Sequence, residues 1–382
     1  MRIGFFTDTY LPSSFGLEIS VETFRENLEN MGHRVYIFAP SYPHYKDANP
    51  RVFRFRSLKI IKKPEMRFAF PFLPTGSVRE IMKLKLDIVH IHTPLAMGFL
   101  GKYIASVQRI PAIYTHHTQI HQYAKVYFKK MRMFPYVAKV LSTWFANSSG
   151  GVIAPSVKIK KMLKEWKTKK TITILPTGVN VNLFKKSADA GQKVKEKLNI
   201  PPEKKVLLFV GRMSKEKNIE FLLKAFKETL KKTSLSLILI MVGDGPDLEK
   251  LRQFAKKNNL NDSVIFTGHI PHKEIPPLYQ AADAFLFSSL TETQGIVILE
   301  AMASGLPIVA LEDDAFQGLI SHGENGFLIK KPSTEIFSQK ILKLLNSHFL
   351  MEKFSKNSRK IAEKLSAENQ TKKLLAIYRR CL

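Results

Sequence analysis

The arrangement of apolar residues near the start of this 382-residue chain constrains its fold more than any other sequence feature. An apolar segment at residues 2–6 predicts a strand, a polar loop follows, and residues 35–39 predict a second buried strand. Between them, apolar residues recur at spacings of four and three, which places them on one face of a helix. They are Leu17, Val21, Phe24, Leu28 and Met31. Gly32 ends this helix, and the whole segment predicts a right-handed βαβ unit of a parallel sheet.

The same arrangement returns in the second half of the chain. Residues 206–210 and 235–242 predict two strands joined by a helix. The helix is marked by Ile219, Leu222, Leu223, Phe226 and Leu230. The fold class is therefore α/β, with two doubly wound, Rossmann-like parallel-sheet domains of roughly 150–200 residues each. Since ligands of such sheets bind beyond the carboxyl ends of the strands, we predict an active site in a cleft where the two sheets face each other.

The boundary between the domains is predicted from composition. Residues 185–205 are polar and charged and end at Pro201 and Pro202, which is typical of an interdomain linker. We therefore predict an N-terminal domain at 1–185 and a C-terminal domain at 186–365. The last residues, 366–382, are highly charged and have a helical pattern.

The net charge of the chain is strongly positive. It contains 60 Lys and Arg against 32 Asp and Glu, a net charge of +28, of which residues 1–190 carry +19 and residues 191–382 carry +9. Such an excess attracts polyanions, namely nucleic acid, anionic lipid headgroups or phosphorylated substrates. A general compositional bias towards Lys is the plain alternative.

The sequence also indicates a compartment. The single cysteine, Cys381, excludes a disulfide framework or a cysteine metal cluster and is typical of a reducing environment. The first residues lack the features of an export signal, and no run of about 18 apolar residues is present. We predict a cytoplasmic protein that is soluble or lies on the inner face of a membrane.

The segment richest in chemical signals is residues 288–307, SSLTETQGIVILEAMASGLP. A predicted strand leads into a loop, and Gly295 begins a helix that extends to about Ala303. The backbone N–H groups at the start of such a helix bind phosphate well. Glu292 in the loop and Glu300 on the helix could accept hydrogen bonds from sugar hydroxyls. Taken alone, the two carboxylates are better explained as a helix-capping acid and a partly exposed helical Glu.

Other motifs give these carboxylates a context. The E-x7-E pattern of Glu292 and Glu300 resembles that of the family 4 glycosyltransferases, which are retaining enzymes of the GT-B fold. Further matches occur in the family's order and spacing over almost the whole chain. They are residues 32–35 (GHRV), 87–92 (DIVHIH), 176–180 (PTGVN), 210–212 (VGR), 216–218 (EKN), 241–245 (MVGDG), 266–268 (FTG), 301–303 (AMA) and 305–307 (GLP). The resemblance implies a nucleotide-sugar donor and a C-terminal helix that crosses back to the N-terminal domain.

The resemblance also implies roles for residues of the C-terminal half. Arg212 and Lys217 would bind the donor diphosphate, which suits two fixed cations in a loop. Glu300 would hold the ribose, and Glu292 the hydroxyls of the transferred sugar. The remaining predicted donor contacts are Gly268 and Ile270 beside the base, and the backbone N–H groups of Gly295 and Ile296 at the phosphates.

Two residues of the N-terminal half receive roles in the same way. Gly16 occupies the loop that approaches the donor phosphate, although Phe15 stands where many members of the family have a second glycine or an asparagine. Glycine permits the close backbone approach that this position needs. His117 matches the position beside the sugar and the leaving phosphate, and its neighbour His116 takes a place that is often aromatic. Without the family, a His at a strand end is more often structural.

We predict neither a metal ion nor a redox cofactor. Gly243 and Gly245 form a G-x-G after a strand, but Leu248 stands where the dinucleotide fingerprint needs its third glycine. His90 and His92 share one face of a strand, yet no third ligand accompanies them at a recognisable spacing. The resemblance implies that helix dipoles and cationic side chains replace a divalent cation, as is usual for enzymes of this fold.

The resemblance further implies a retaining hexosyltransferase. Because no carboxylate of the motifs stands where a nucleophile is expected, we predict a front-face mechanism. Local matches, such as Thr7–Pro12 (TDTYLP) and 291–295 (TETQG), resemble diacylglycerol glucosyltransferases, and phosphatidylinositol mannosyltransferases are more distant. UDP-linked glucose and a diacylglycerol acceptor are therefore the predicted substrates, although GDP-linked mannose uses the same motif. A soluble or polyprenyl-linked glycan is the alternative acceptor.

Two basic, aromatic stretches suit docking on an anionic membrane. They are residues 60–72 and 123–141, in which Lys and Arg alternate with Phe, Tyr and Met. The plain alternative is a solvated helix whose apolar residues pack inward. A basic nucleic-acid-binding protein is a further alternative, but the sequence contains no nucleic-acid-binding motif that we recognise, and we predict no nucleic-acid partner.

Overall fold

A computed structural model describes residues 1–13, 15–60, 63–72, 77–117 and 133–382. The chain divides into two compact units, Met1–Thr177 together with Ala367–Leu382, and Gly178–Ser366. Each unit is built on one parallel sheet that helices accompany. The α/β class with two doubly wound halves is therefore confirmed.

The first unit contains nine described strands. They are β1 (Arg2–Phe6), β2 (Arg34–Pro40), β3 (Val52–Phe55), β4 (Ser57–Ile60), β5 (Lys63–Ala69), β6 (Ile88–Ile91), β7 (Ala112–Thr115), β8 (Gly151–Ala154) and β9 (Ile172–Ile174). Seven of them form a sheet in the order β3-β2-β1-β6-β7-β8-β9, in which all neighbours are parallel. Strands β4 and β5 form a separate antiparallel pair.

Helices connect these strands as βαβ crossovers require. The described helices between the strands of this unit are α1 (Gly16–Asn30), α2 (Ser77–Lys83), α3 (Ala96–Gln108), α4 (Phe134–Ser148) and α5 (Val157–Glu165). The predicted stripe of α1 is confirmed, because Val21, Phe24 and Leu28 are buried against the sheet. No helix in the described part of the chain is both long and apolar enough to span a bilayer.

Strand β1 shows why the first sheet needs helices on both faces. Its Ile3 and Phe5 belong to the apolar cluster that includes α1, whereas Phe6 belongs to a second cluster that includes α3. All three side chains are fully buried. A central parallel strand covered on both faces is apolar throughout rather than alternating, which is what the sequence of residues 2–6 shows.

The second unit contains six strands and seven α-helices. The strands are β10 (Lys205–Val210), β11 (Leu237–Val242), β12 (Val264–Gly268), β13 (Ala284–Phe287), β14 (Ile308–Leu311) and β15 (Gly326–Ile329). The helices are α6 (Ala188–Lys197), α7 (Ile219–Lys231), α8 (Leu248–Lys257), α9 (Pro276–Ala281), α10 (Ile296–Ala303), α11 (Thr334–Leu345) and α12 (His348–Lys364). The parallel sheet has the order β12-β11-β10-β13-β14-β15. Strands β10 and β13 are therefore parallel neighbours, and the loops that follow them begin at the same edge of the sheet.

The division between the units lies at 177/178, eight residues before the predicted boundary at 185/186. Residues that follow Thr177 already pack on the second unit. Phe184 is buried in its core, and the Ser304 hydroxyl donates to the carbonyl oxygen of Phe184 at 2.7 Å. The predicted boundary was placed at the start of the polar stretch 185–205, whereas the apolar Val179 and Phe184 that precede this stretch are already buried in the second unit.

The predicted linker at 185–205 is wrong, because it contains helix α6. The hydroxyl of Ser187 accepts from the backbone N–H of Ala190 and caps the helix. A Cβ at Gly191 would lie 2.8 Å from the carbonyl oxygen of Gln280, so this glycine lets α6 pack closely on α9. A polar helix that buries little apolar surface resembles a linker in composition.

The last helix, α13 (Ala367–Cys381), belongs to the first unit. Its Leu374 and Tyr378 are fully buried in the cluster that contains Phe24 of α1. The Tyr378 hydroxyl lies 2.6 Å from His90 Nδ1. Residues 366–382 were predicted to return to the N-terminal domain, and from Ala367 onward they belong to the first unit and contribute Leu374 and Tyr378 to its core.

Candidate active site

A partly buried ion pair lies where the loops that follow β10 and β13 meet in the second unit. Lys217 Nζ donates to Glu292 Oε1 at 2.5 Å, and the two side chains are 20% and 11% exposed. Lys217 ends a 3-10 turn after β10, and Glu292 lies in the loop after β13. The two residues are 75 positions apart in sequence, and the pairing of β10 with β13 brings them together.

Hydrogen bonds between the two loops hold this pair in position. The Ser288 hydroxyl donates to the carbonyl oxygen of Lys217 at 2.8 Å, and the Ser289 hydroxyl donates to that of Glu216 at 3.5 Å. Both serines are fully buried. The predicted neighbourhood of Lys217 and Glu292 is therefore present, and the serines that support it were not predicted.

Glu300 lies on α10 with both carboxylate oxygens in hydrogen bonds. His272 Nε2 lies 2.7 Å from Oε1, and the Tyr279 hydroxyl donates to Oε2 at 2.8 Å. Glu300 is 2% exposed and Tyr279 is fully buried. Burial, and then the charge of Glu300, raise the pKa of the Tyr279 phenol well above its ordinary value. Tyr279 therefore stays a neutral donor that orients the carboxylate.

The start of α10 has the geometry that the sequence predicted. Gly295 precedes the helix with φ of +80°, a left-handed conformation that favours glycine. A Cβ there would also lie 3.0 Å from the Phe316 ring. Helix α10 begins at Ile296 and ends at Ala303, so the first N–H groups of the helix have no carbonyl partner within it. Such N–H groups are suited to an anion.

The loops after β10, β11 and β12 are joined through their backbones. Gly211 N–H donates to the Val242 carbonyl at 2.9 Å, and Gly243 N–H donates to the Gly268 carbonyl at 3.0 Å. Arg212 follows directly and is partly exposed. Gly268 has φ of +72° with open space where a Cβ would stand. The partly buried Ile270 lies two residues further along this loop and packs on the core.

All the predicted donor contacts of the second unit therefore lie at one edge of its sheet. They are Arg212, Lys217, Gly268, Ile270, Glu292, Gly295, Ile296 and Glu300. This edge is formed by the carboxyl ends of the strands, where open parallel sheets bind ligands. His272 and Tyr279 complete the surroundings of Glu300, and no sequence motif indicated them.

His117 lies at the carboxyl end of β7 in the first unit. Its Nε2 is 3.0 Å from His92 Nδ1, and the two ring planes are inclined by 21° with centroids 5.2 Å apart. Burial lowers the pKa of His117 to about 3, so its imidazole is neutral at physiological pH. The neighbouring His116 is buried, and its Nδ1 lies 2.8 Å from the Tyr114 hydroxyl.

Gly16 was predicted in the loop that precedes α1, and the structure places it as the first residue of this helix. Phe15 before it has an extended backbone and a side chain that is 42% exposed. Ser14 lies outside the described residues. The predicted contact of Gly16 with a donor phosphate stays a prediction.

The histidine pair of β6 has partners other than a metal. His90 Nδ1 lies 2.6 Å from the Tyr378 hydroxyl and His90 Nε2 lies 2.6 Å from the Thr115 hydroxyl. His92 contacts His117. Within the described residues, no group of three or more His, Cys, Asp or Glu side chains could hold a metal ion. The independence from metals stays a prediction.

The two basic, aromatic stretches are described in part. Of residues 60–72, positions 61–62 lie outside the described residues, and of residues 123–141 only those from Met133 onward are described. Met133, Tyr136 and Val137 are between 50% and 69% exposed. The part of the second stretch that is described therefore does not pack entirely inward.

Comparison with known proteins identifies the family. Residues 16–183 match the model described as Glycosyltransferase Family 4, and residues 191–361 match Glycosyl transferases group 1. An alpha-monoglucosyldiacylglycerol synthase of Streptococcus pneumoniae is 36% identical in an alignment of 403 positions that covers 99% of this chain and 85% of the relative. The chain belongs to glycosyltransferase family 4.

Further comparisons agree with this family 4 assignment. An alpha-monoglucosyldiacylglycerol synthase of Acholeplasma laidlawii is 36% identical over 340 positions, covering 87% of this chain and 85% of the relative. Among solved structures, the Anabaena protein HepE in complex with UDP-glucose superposes with a TM-score of 0.78 at 20% identity, covering 99% of this chain and all of that one. The GT-B fold and glycosyltransferase activity are thereby confirmed.

Proposed function

We propose that this glycosyltransferase transfers glucose from UDP-glucose to diacylglycerol at a membrane surface, with retention of the anomeric configuration. The observation that carries the proposal is the 36% identity, over 99% of this chain, to a relative named as a monoglucosyldiacylglycerol synthase. The carboxylates, cations and helix start at one edge of the second sheet support a nucleotide-sugar donor. UDP-glucose is chosen because the GT-B neighbour from Anabaena binds it.

In this proposal the Lys217–Glu292 pair is the ligand-free arrangement of the donor site. A diphosphate carries more charge than one carboxylate, so we expect the Lys217 ammonium to move towards it when the donor binds. That exchange frees Glu292 to accept hydrogen bonds from the hydroxyls of the transferred sugar. Arg212 adds the second cation, and the N–H groups at the start of α10 face the phosphates.

The proposed chemical step follows from the charges at the phosphate end of the site. The bond between the sugar's anomeric carbon and the UDP oxygen breaks, and Arg212 and Lys217 stabilise the negative charge that develops on the leaving diphosphate. The acceptor hydroxyl oxygen then bonds to the same face of the anomeric carbon. Its proton passes to the departing phosphate oxygen, so no protein nucleophile takes part. His117 is proposed to contact the sugar and the leaving group.

An exposed apolar surface on the first unit supports the membrane part of the proposal. We define the α3–α4 surface by six side chains that are 40–63% exposed: Phe72, Phe99, Tyr103, Tyr136, Val140 and Trp144. Two ring contacts lie within it, since Phe72 meets Tyr103 at 6.1 Å and Phe99 meets Trp144 at 5.6 Å between centroids. Clusters of exposed aromatic residues mark interaction sites.

Cationic side chains accompany the α3–α4 surface. Lys139 lies exposed on α4. Lys102 lies on α3, where its ammonium donates to the Ser148 carbonyl at 2.6 Å. Burial, and then the charge of Lys170, lower the pKa of Lys102 to about 8. Aromatic residues beside cations suit the interface of an anionic leaflet.

The proposal is tested by transfer of radiolabelled glucose from UDP-glucose into anionic vesicles that contain diacylglycerol. We expect labelled lipid with the wild type, and a loss of roughly 10²–10³-fold in kcat with Glu292→Gln, since a carboxylate that contacts the sugar is removed. Glu324→Gln is the matched control, because Glu324 forms an ion pair with Lys353 in the same unit, away from the loops after β10 and β13.

Several outcomes would contradict the proposal. Labelling of a glycan but not of lipid would show that the acceptor is a glycan. Transfer from GDP-mannose but not from UDP-glucose would show that the donor is GDP-mannose. Proton NMR of the product distinguishes retention from inversion. A covalent sugar adduct on the protein would exclude the front-face step.

A further inference from the structure

We propose that His92 is a positioning residue that holds His117 in the tautomer with its proton on Nδ1, so that His117 meets the substrate as a neutral hydrogen-bond donor. The inference rests on the proposed function in one respect, namely that His117 contacts the donor. It concerns a residue to which neither the family motifs nor the comparisons assign a role.

The contact between the His92 and His117 rings raises the question of which nitrogen carries the shared proton. His92 is 1% exposed, and its Nδ1 lies 3.0 Å from Nε2 of His117. Burial lowers the pKa of both rings, that of His92 well below its ordinary value. Two neutral imidazoles carry one N–H each. A hydrogen bond between these two nitrogens therefore requires that one of them, and only one, is protonated.

The two possible directions of this hydrogen bond differ in whether the buried His92 Nε2 carries a proton. If His117 donated from Nε2, His92 would carry its own proton on Nε2. In the part of the chain that the structure describes, that buried atom has no hydrogen-bond partner. An unpaired N–H in a protein interior is rare and costs free energy. If His92 donates from Nδ1 instead, its Nε2 carries only a lone pair, and His117 keeps its proton on Nδ1.

The chemistry of the substrate favours the same arrangement. A diphosphate offers only oxygen acceptors, and the ring oxygen of a sugar is an acceptor as well. An unprotonated Nδ1 on His117 would point its lone pair at the lone pair of a phosphate oxygen, and the two would repel. A protonated Nδ1 gives a hydrogen bond whose strength rises as negative charge develops on the leaving group. His117 is then a donor to the transition state rather than a general base.

The neighbouring His90 has a different role from His92, because it has different hydrogen-bond partners. His90 lies one ring away, with centroids 4.1 Å apart. Its two nitrogens already meet the hydroxyls of Tyr378 and Thr115, each at 2.6 Å. His90 therefore ties β6 to β7 and to α13, whereas His92 meets the residue at the carboxyl end of β7.

The test combines a tautomer measurement with kinetics on three variants. Long-range proton–nitrogen NMR of the full chain with ¹⁵N-labelled histidine reports which ring nitrogens are protonated, and His117→Gln assigns the signals. We expect His117 to be protonated on Nδ1 in the wild type. The amide of His92→Asn can still donate, so that variant should keep this tautomer and most of kcat. His92→Asp accepts only, so it should move the proton to Nε2, and His92→Leu removes the contact.

We expect kcat to fall about 10–100-fold in His92→Asp and His92→Leu, which corresponds to the usual effect of misplacing a catalytic group. The dissociation constant of UDP should change less than threefold. His90→Leu is the structural control, because it removes an equally buried histidine with two hydrogen bonds. A purely structural His92 would make the two leucine variants alike, with a lower Tm and similar kcat.

Two results would overturn the inference. One is a wild-type His117 protonated on Nε2, and the other is wild-type kcat in folded His92→Leu and His92→Asp. The NMR measurement needs no acceptor, so it decides the tautomer even if diacylglycerol is the wrong substrate. Failure of the wild type to label any lipid would contradict the proposed function alone.

Discussion

Asp8, directly beyond the end of β1, is a carboxyl that the fold keeps away from water. It is 3% exposed. The Thr93 hydroxyl donates to Oδ2 at 2.5 Å, and the Met97 N–H, at the start of α3, donates to Oδ1 at 3.1 Å. Burial raises the pKa of Asp8 from 3.8 to about 6, against these hydrogen bonds, which lower it. The folded protein therefore binds a proton at this site more tightly than the unfolded chain does.

This difference predicts a dependence of stability on pH. Because the pKa is raised in the folded state, the contribution of Asp8 to stability is complete below about pH 4 and is lost as the pH rises through about 6. Relative to Asp8→Asn, the wild type should lose about 1–3 kcal/mol of unfolding free energy between pH 4 and pH 7. Urea unfolding of both proteins at each pH measures it, and a constant difference across this range would contradict it.

The residues of the candidate site could be named from sequence where a motif carried them. Glu292, Lys217 and Glu300 were predicted from the family pattern, and the structure brings Glu292 and Lys217 into contact. His272 and Tyr279 were not predicted, because their contact with Glu300 depends on how a 3-10 turn and α9 pack. Such contacts join residues more than twenty positions apart, and no local spacing encodes them.

At the scale of elements, the backbones of the loops after β10 and β11 approach closely. Gly243 has φ of +134°, and a Cβ there would lie 2.0 Å from the carbonyl oxygen of Gly211. Both the conformation and the distance exclude a side chain. The position of the loop that carries Arg212 therefore depends on a glycine at position 243, directly after β11.

The corresponding prediction is that Gly243→Ala destabilises the protein by about 2–4 kcal/mol and weakens UDP binding, because the loop that carries Arg212 must shift. Gly323→Ala is the matched control. Gly323 also has positive φ, at +79°, but open space where the Cβ would stand, so we expect a loss of roughly 1–2 kcal/mol. Thermal unfolding and calorimetric titration with UDP measure the two effects. Equal losses in both variants would show that the close approach does not matter.

The elements themselves were predicted unequally well. Helices α1 and α7 follow from strong apolar periodicity, strand β1 from a continuous apolar run, and α10 from the glycine that begins it after a strand and loop, so their positions agree with the structure within a few residues. Helix α6 was mistaken for a linker because it has a polar composition, with Gly191 as its only buried residue. Its stability depends on a cap and on packing against α9, neither of which appears as a periodic pattern.

At the scale of the whole molecule, the net charge of +28 and the α3–α4 surface make a joint prediction. A variant with Tyr103→Ser and Trp144→Ser should bind anionic vesicles at least tenfold more weakly, since each aromatic side chain gains roughly 1–2 kcal/mol on leaving water. Binding of the wild type should also weaken as salt rises, because the lipid charge is screened.

Vesicle flotation measures this binding, and the second unit provides the control. Phe349 on α12 is 71% exposed, so Phe349→Ser removes an exposed aromatic residue that does not belong to the α3–α4 surface. We expect it to float like the wild type. If it weakens binding as much as the double variant, or if neutral vesicles bind equally well, the α3–α4 surface is not the docking site. A wild type that dimerises through this surface would also contradict the prediction.

The position of α13 in the core of the first unit has a consequence for synthesis of the protein. The second unit is continuous in sequence and is complete before residues 367–382 leave the ribosome. The first unit starts before the second in sequence but lacks Leu374 and Tyr378 until residues 367–382 have followed, and both side chains are fully buried beside α1 and β6. Domains usually fold in the order in which they are made. In this chain the unit whose synthesis starts first therefore acquires its full core only after the second unit has been made.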